Sequence, residues 1–289
     1  MFRRLAAVIL SALLLSPGWL SMTGLTLLVG FIPLLWVSAS YDASRRSWWR
    51  VFGWATLTFV LWNALTIWWI WYATPVGPPA ATLASTTMNM IAFMLFHTVS
   101  KKAPKALAYV TLVTAWITTE YWYTVGDFSW PWLILGNGFS HEVWAVQWYE
   151  YTGVFGGTLW VLLSNILIFE ALRARTVRRW TAAACTVAVP VVISLVIWGS
   201  WKQPDEGTAE VSIIQPNVDC YDKFHGDTQR QERNIADLMA EVPAGAQFIL
   251  LPETAVPGDY LEPGLSDFYS AGEPGAFWQE LTKSEAKRS

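Results

Sequence analysis

The chain has 289 residues, of which 54% are hydrophobic and only 14% charged, and it holds 20 Trp. Soluble domains carry roughly 25% charged residues, so this composition excludes an ordinary soluble protein and a disordered one. The net charge of −3 sums two unlike parts: residues 1–201 carry 12 Lys/Arg against 6 Asp/Glu, residues 202–289 carry 7 against 16, and the acidic second part argues against nucleic acid as a partner.

In chain order, residues 5–40 hold no charge and break at Pro17-Gly18, which predicts two short helices, about 5–16 and 20–38. Arg3 and Arg4 before an apolar core look like a signal peptide, but a clear small-x-small cleavage site is missing and more spanning helices follow, so the stretch reads as an uncleaved first helix. Residues 51–73, 79–99, 106–124, 152–169 and 180–199 are each near the 20 or so apolar residues that span a bilayer. The basic residues fall in four clusters: Arg3/Arg4, Arg45/Arg46/Arg50, Lys101/Lys102/Lys105 and Arg173/Arg175/Arg178/Arg179. They flank alternate ends of the segments, and the loops between, 17–19, 74–77 and 125–151, hold no Lys or Arg. The positive-inside rule then predicts about seven crossings, a cytoplasmic N-terminus and a tail from Trp201 on the outer side.

The outer loop 125–151 is aromatic, with Trp130, Trp132, Trp144, Trp148, Tyr149 and Tyr151. Such residues form either an interfacial belt or a platform for a lipid substrate. Glu120 lies near the outer end of its helix, where an ionisable group is either functional or reaches water. Gly153, Gly156 and Gly157 read as close-packing positions, and Cys185 as a small packing residue.

In the tail, residues 211–214 predict a strand, and Asp227 caps a helix running to about Glu241. Ile235, Leu238, Met239 and Val242 recur on one helical face, and residues 247–251 form a second strand. This spacing is that of a βαβ unit with parallel strands. Functional groups of such sheets gather at the carboxyl ends of strands, where Glu253 sits. Position alone leaves Glu253 open between a catalytic and a solvated carboxylate. Cys220 reads as a loop cysteine, with Lys223 and His225 near it in sequence only. His97, His141 and His225 make no metal-ligand pattern, two cysteines exclude a four-Cys zinc site, and no cofactor fingerprint occurs, so neither metal nor cofactor is expected.

These pieces resemble the bacterial apolipoprotein N-acyltransferases, of the nitrilase-like carbon–nitrogen hydrolase superfamily. The resemblance rests on SWPWLILGNGF (129–139), YTGVFGGTLW (151–160), VSIIQPN (211–217), Lys223-Phe224 and ILLPETAV (249–256), in that order. It implies a polytopic α-helical membrane domain, residues 1–201, followed by the beginning of a nitrilase-like αββα domain of the α/β class, residues 202–289. It implies location in the bacterial inner membrane with the second domain periplasmic. The activity implied is acyl transfer from a phospholipid to the N-terminal diacylglyceryl-cysteine of a lipoprotein through a thioester on Cys. Phospholipid donor, lipoprotein acceptor and membrane lipids are then the partners. Glu253 matches the family's general base, and Phe224 matches an aromatic near the substrate pocket. The family's later Lys and Cys stretches have no match here, and Cys220 precedes Glu253, the reverse of family order. The expectation is an N-terminal portion, inactive alone: a fragment, a split enzyme completed by a second chain, or a degenerate protein. The alternative is a non-catalytic polytopic protein binding lipid or lipoprotein. A transporter is disfavoured, because neither paired halves nor a buried charge cluster is evident.

Overall fold

The computed structural model describes residues 1–126, 129–202, 207–219 and 222–252, apart from the side chains of Phe224, His225 and Thr228. The chain divides into two compact units, Met1–Lys202 and Gln203–Ser289.

The first unit is helical: α1 (Phe2–Leu15), α2 (Leu27–Gly30), α3 (Ile32–Ala39), α4 (Arg45–Thr66), α5 (Gly77–Ser100), α6 (Lys105–Val125), α7 (Tyr149–Ala174) and α8 (Val177–Ser200). Four segments are long and apolar enough to cross a membrane: α1 with the turn after it, α5, α7 and α8. Helices α4 and α6, of 22 and 21 residues, match them in length and carry more polar side chains. Fully buried Phe31, Phe59, Trp62, Phe93 and Trp116 fill the centre. Their rings meet edge-on or tilted, Phe31–Trp116 at 4.9 Å and Phe59–Trp116 at 5.8 Å between centroids, as the ring quadrupole favours. Outward-facing Leu83, Leu107, Val110, Leu195 and Val196 leave an apolar exterior suited to lipid.

Lipid tails are as apolar as leucine, so helices in a bilayer associate through close packing and polar ties. The ties here are specific. Ser11 donates to the Gly30 carbonyl at 2.5 Å, and Ser38 Oγ meets His97 Nδ1 at 2.7 Å. Lys101 Nζ donates to the Ser38 and Tyr41 carbonyls at 3.0 and 2.8 Å. On the opposite end of the bundle from the α6–α7 loop, Glu170 of α7 gathers Lys105, Arg173, Arg179 and the Tyr109 hydroxyl.

The structure shifts two predicted helices. The single helix expected over 51–73 starts earlier, because Ser44 Oγ accepts from Ser47 N–H at 3.2 Å and caps it before Arg45. It ends at Thr66, where Asn63 and Thr66 turn their side chains back onto the Phe59 and Trp62 carbonyls, and Trp68–Tyr72 continues as a 3-10 turn. The helix expected over 20–38 begins only at Leu27 and is interrupted at Phe31. There the Asn165 amide inserts itself into the backbone ladder. Its Oδ1 accepts from Phe31 N–H at 2.7 Å and its Nδ2 donates to the Leu27 carbonyl at 2.7 Å, in place of the direct backbone bond. The break predicted at Pro17-Gly18 is present, as a 3-10 turn over Pro17–Trp19.

The second unit contains β1 (Val211–Ile213), α9 (Asp222–His225), α10 (Thr228–Ala240) and β2 (Phe248–Leu250). The two strands pair in parallel with Val211 opposite Phe248 and Ile213 opposite Leu250. Asp227 caps α10 by accepting from Arg230 N–H at 3.2 Å, and α10 turns Ile235 fully inward.

Candidate functional site

The loop between α6 and α7 folds back into the bundle instead of lying as a simple belt. It forms three 3-10 turns, Pro131–Leu133, Leu135–Phe139 and Val143–Ala145, and buries Leu135, Phe139 and Ala145 in the core. Trp132, Trp144 and Tyr151 remain exposed, so its aromatic residues divide between core and surface.

Two carboxylates hold this loop. Glu120, 4% exposed, does not reach water as its place near a helix end allowed. Its Oε1 accepts from Trp116 Nε1 at 3.0 Å and Leu135 N–H at 2.8 Å, and its Oε2 accepts from the Thr158 hydroxyl at 2.6 Å. The same hydroxyl accepts from Gly136 N–H at 3.2 Å, so loop, α6 and α7 share one network. Glu142, also buried, accepts from Thr23 Oγ1 at 2.5 Å and Gly24 N–H at 3.0 Å, fastening the loop to the turn before α2. Sequence reasoning passed over Glu142; an acidic residue inside an aromatic loop without Lys or Arg was the available signal.

Glycine permits the close approach between loop and α7. A Cβ on Gly136 would strike the Val154 carbonyl, and one on Gly157 would strike the Tyr149 hydroxyl and Gly136 Cα. Tyr149 OH donates to the Gly136 carbonyl at 2.9 Å. Gly157 thus serves close packing, against the loop. Gly153 breaks the helical path of α7 with φ +64°.

Beside the loop lies an apolar groove between α4, the Trp68–Tyr72 turn and α5, about 850 Å³ in volume. Its wall includes Val60, Ile67, Trp68, Trp71, Leu83 and Thr86. Trp68, Trp71 and Leu83 are more than half exposed, so the groove opens to the lipid-facing side. Thr86 is buried, and its hydroxyl has no partner among the described residues. Trp132 of the loop packs on Trp69 at 5.1 Å, so the loop buttresses the turn that walls the groove. An elongated apolar chain with one hydrogen-bond acceptor fits this surface.

Of the residues singled out in the tail, Phe224 lies on α9 and its side chain is outside the described set. Glu253 follows β2 in sequence and, like Cys220, lies outside the described residues. Cys185 is exposed on α8 instead of packing inside. Among the described residues no three His, Cys, Asp or Glu side chains converge where a metal ion could sit.

The first unit is therefore a multi-pass helical membrane domain whose α6–α7 loop is locked by buried carboxylates beside a lipid-facing groove. Residues 9–167 match the model of the apolipoprotein N-acyltransferase N-terminal domain, and the chain belongs to that family. It is similar to the apolipoprotein N-acyltransferase of Chlorobaculum tepidum, 24% identical over 224 residues, 74% of this chain and 40% of that protein. It is also similar to the one from Gloeobacter violaceus, 26% identical over 236 residues, 80% of this chain and 39% of that protein. The chain thus spans about 40% of the length of these curated relatives.

Proposed function

We propose that this chain serves apolipoprotein N-acylation, moving an acyl chain from a phospholipid to the N-terminal diacylglyceryl-cysteine of lipoproteins. The observation that supports the reading best is the lipid-facing groove in a membrane domain of this family. The groove takes the donor's acyl chain. In the first half-reaction a thiolate attacks the ester carbonyl, forming a thioester and releasing the lysophospholipid. In the second the lipoprotein's amine attacks the thioester, forming the amide and returning the thiol. Glu253 is proposed as the base that takes the thiol proton and hands it to the departing lysophospholipid oxygen, then takes the amine proton and hands it to the departing thiolate, with Phe224 as an aromatic contact to substrate. The thiol is assigned to neither Cys185 nor Cys220. The proposed setting is the bacterial inner membrane, N-terminus in the cytoplasm and residues 202–289 beginning a nitrilase-like αββα domain in the periplasm.

The test is a chimera carrying a curated relative's C-terminal sequence after Ser289. Phosphatidylethanolamine should load it with a hydroxylamine-sensitive acyl group. Glu253→Gln should slow loading by about 10²–10⁴-fold, the usual contribution of a general base. Thr82→Trp, which fills the groove, should weaken donor use and leave Glu253 chemistry intact. Donor binding without any acyl-enzyme would favour the non-catalytic lipid-binding alternative.

A further inference from the structure

A second cavity, about 530 Å³, lies at the end of the bundle opposite the α6–α7 loop, between α1, α4 and the Tyr41 loop. Two arginines border it from different helices, Arg4 of α1 and Arg50 of α4. Arg4 is held in place: its Nε donates to Ser40 Oγ at 3.2 Å, its Nη2 to the Ser40 carbonyl at 3.3 Å, and its guanidinium lies 4.0 Å from the Tyr41 ring centroid. A guanidinium carries five N–H donors, so Arg4 keeps others for a ligand. Arg50 is exposed and has no hydrogen bond or ion pair among the described residues. Below the arginines the lining turns apolar, with Trp54 and Leu57. Trp54 is fixed by its Nε1–H donating to Tyr41 OH at 2.9 Å. Trp49, more than half exposed, stands at the rim. Gly53 lines the same cavity, and a Cβ built on it meets nothing within 4 Å.

The opposing charge nearby is Asp42. Its carboxyl is pulled down to about 2 by the Ser44 hydroxyl first, then by Ser47, and Arg50 adds to the effect. The Ser44 hydroxyl and N–H already donate to Asp42 Oδ1 at 2.6 and 3.1 Å, so this carboxylate is engaged locally. Arg3 begins α1 beside Arg4, and Arg45 and Arg46 begin α4, so further cations stand at the same end.

We propose that this cavity binds the headgroup of an anionic phospholipid, its phosphate between Arg4 and Arg50 and the start of an acyl chain along Trp54 and Leu57. Planar guanidinium forks match phosphate oxygens, and basic pockets between membrane helices suit anionic headgroups. The apolar lower wall selects a lipid over a free anion, which has no use for Trp54 or Leu57. The site stands apart from the groove at α4 and α5 and does not depend on the acyltransfer reading.

The experiment is native mass spectrometry of the full chain in detergent. It is titrated with phosphatidylglycerol, with phosphatidylcholine of the same acyl chains, and with inorganic phosphate as competitor. One phosphatidylglycerol should be retained beyond the phosphatidylcholine level. Arg50→Gln should weaken that retention about fivefold, the effect of one cation at a membrane surface. Gly53→Leu projects into open space on a helix and favours helix over glycine, so it should fold and abolish the retained lipid. Equal retention of the two lipids, or an unchanged affinity in either variant with a wild-type melting profile, would overturn the proposal. Displacement by inorganic phosphate at matching concentration would overturn it too, as a site for a free anion. If Gly53→Leu lowers the melting temperature, Arg50→Gln decides alone, since that exposed side chain holds nothing in place.

Discussion

Glu120 ties α6, the loop that follows it and α7 together. Three donors converge on it, from Trp116, Leu135 and Thr158, and its own burial leaves them nowhere else to turn. Removing a partner from a buried donor costs about 1–3 kcal/mol. Glu120→Ala strands three donors and should lower stability by about 3 kcal/mol or more. Glu120→Gln keeps one carbonyl oxygen and places an amide N–H₂ against a donor, so it should lose about half as much. Thermal unfolding in detergent, followed by tryptophan fluorescence, ranks the variants. An alanine variant as stable as wild type would show that water reaches this carboxylate after all. The importance of Glu120 was only partly legible in the sequence. Its distance from the helix end allowed hydration, and nothing local announced that a loop 15 residues later would fold over it. The same holds for Glu142, whose partners Thr23 and Gly24 lie more than a hundred residues away. Sequence periodicity reports a helix's own faces, and long-range polar pairings leave no periodic trace.

At the scale of the element, the interrupted helix of α2 and α3 depends on one amide from α7. Asn165 replaces the bond from Phe31 N–H to the Leu27 carbonyl with two bonds of its own. Asn165→Leu, near in volume, removes both side-chain bonds from these backbone groups in a water-free interior. It should cost about 2–4 kcal/mol, unless the segment closes into one continuous helix. Amide hydrogen exchange at Phe31 separates these results: fast exchange means the break persists unpaired, slow exchange means the helix has closed. Element boundaries show what apolar runs reveal and what they hide. Residues 79–99, 106–124, 152–169 and 180–199 fall inside α5, α6, α7 and α8, because long uncharged runs admit little except a helix. The run 51–73 misled at both ends. At its start, Arg45, Arg46 and Arg50 were counted as loop, although long basic side chains join helix ends readily while their charges stay in water. At its end, hydropathy could not distinguish helix from the 3-10 turn of Trp68–Tyr72.

For the whole molecule, the alternation of basic clusters with loops lacking Lys and Arg sets an orientation to be tested. An alkaline phosphatase reporter fused after Gly207 should be active, and one fused after Arg175 should be silent. The reverse pattern rejects an N-inside arrangement. The strands, the Asp227 cap and their parallel pairing in the second unit followed from local spacing. The candidate base Glu253 rests on a motif alone, since it lies outside the described residues. Helix α8 differs from the rest of the bundle. It buries only Ala183 and Ser194, and its polar ties to the bundle include Ser194, between the Trp144 carbonyl and Gln147 N–H, and the Thr186 carbonyl, which accepts from Trp160. Most of its residues are exposed on the bundle's exterior, and Pro190 interrupts its own backbone ladder. The chain therefore has a mechanical weak end. Pulled from beyond Trp201 by a cantilever tip, α8 should peel from the bilayer as a separate first step at low force. The remaining helices, stapled by Glu120, Glu142 and Asn165, should resist to a higher force and leave together.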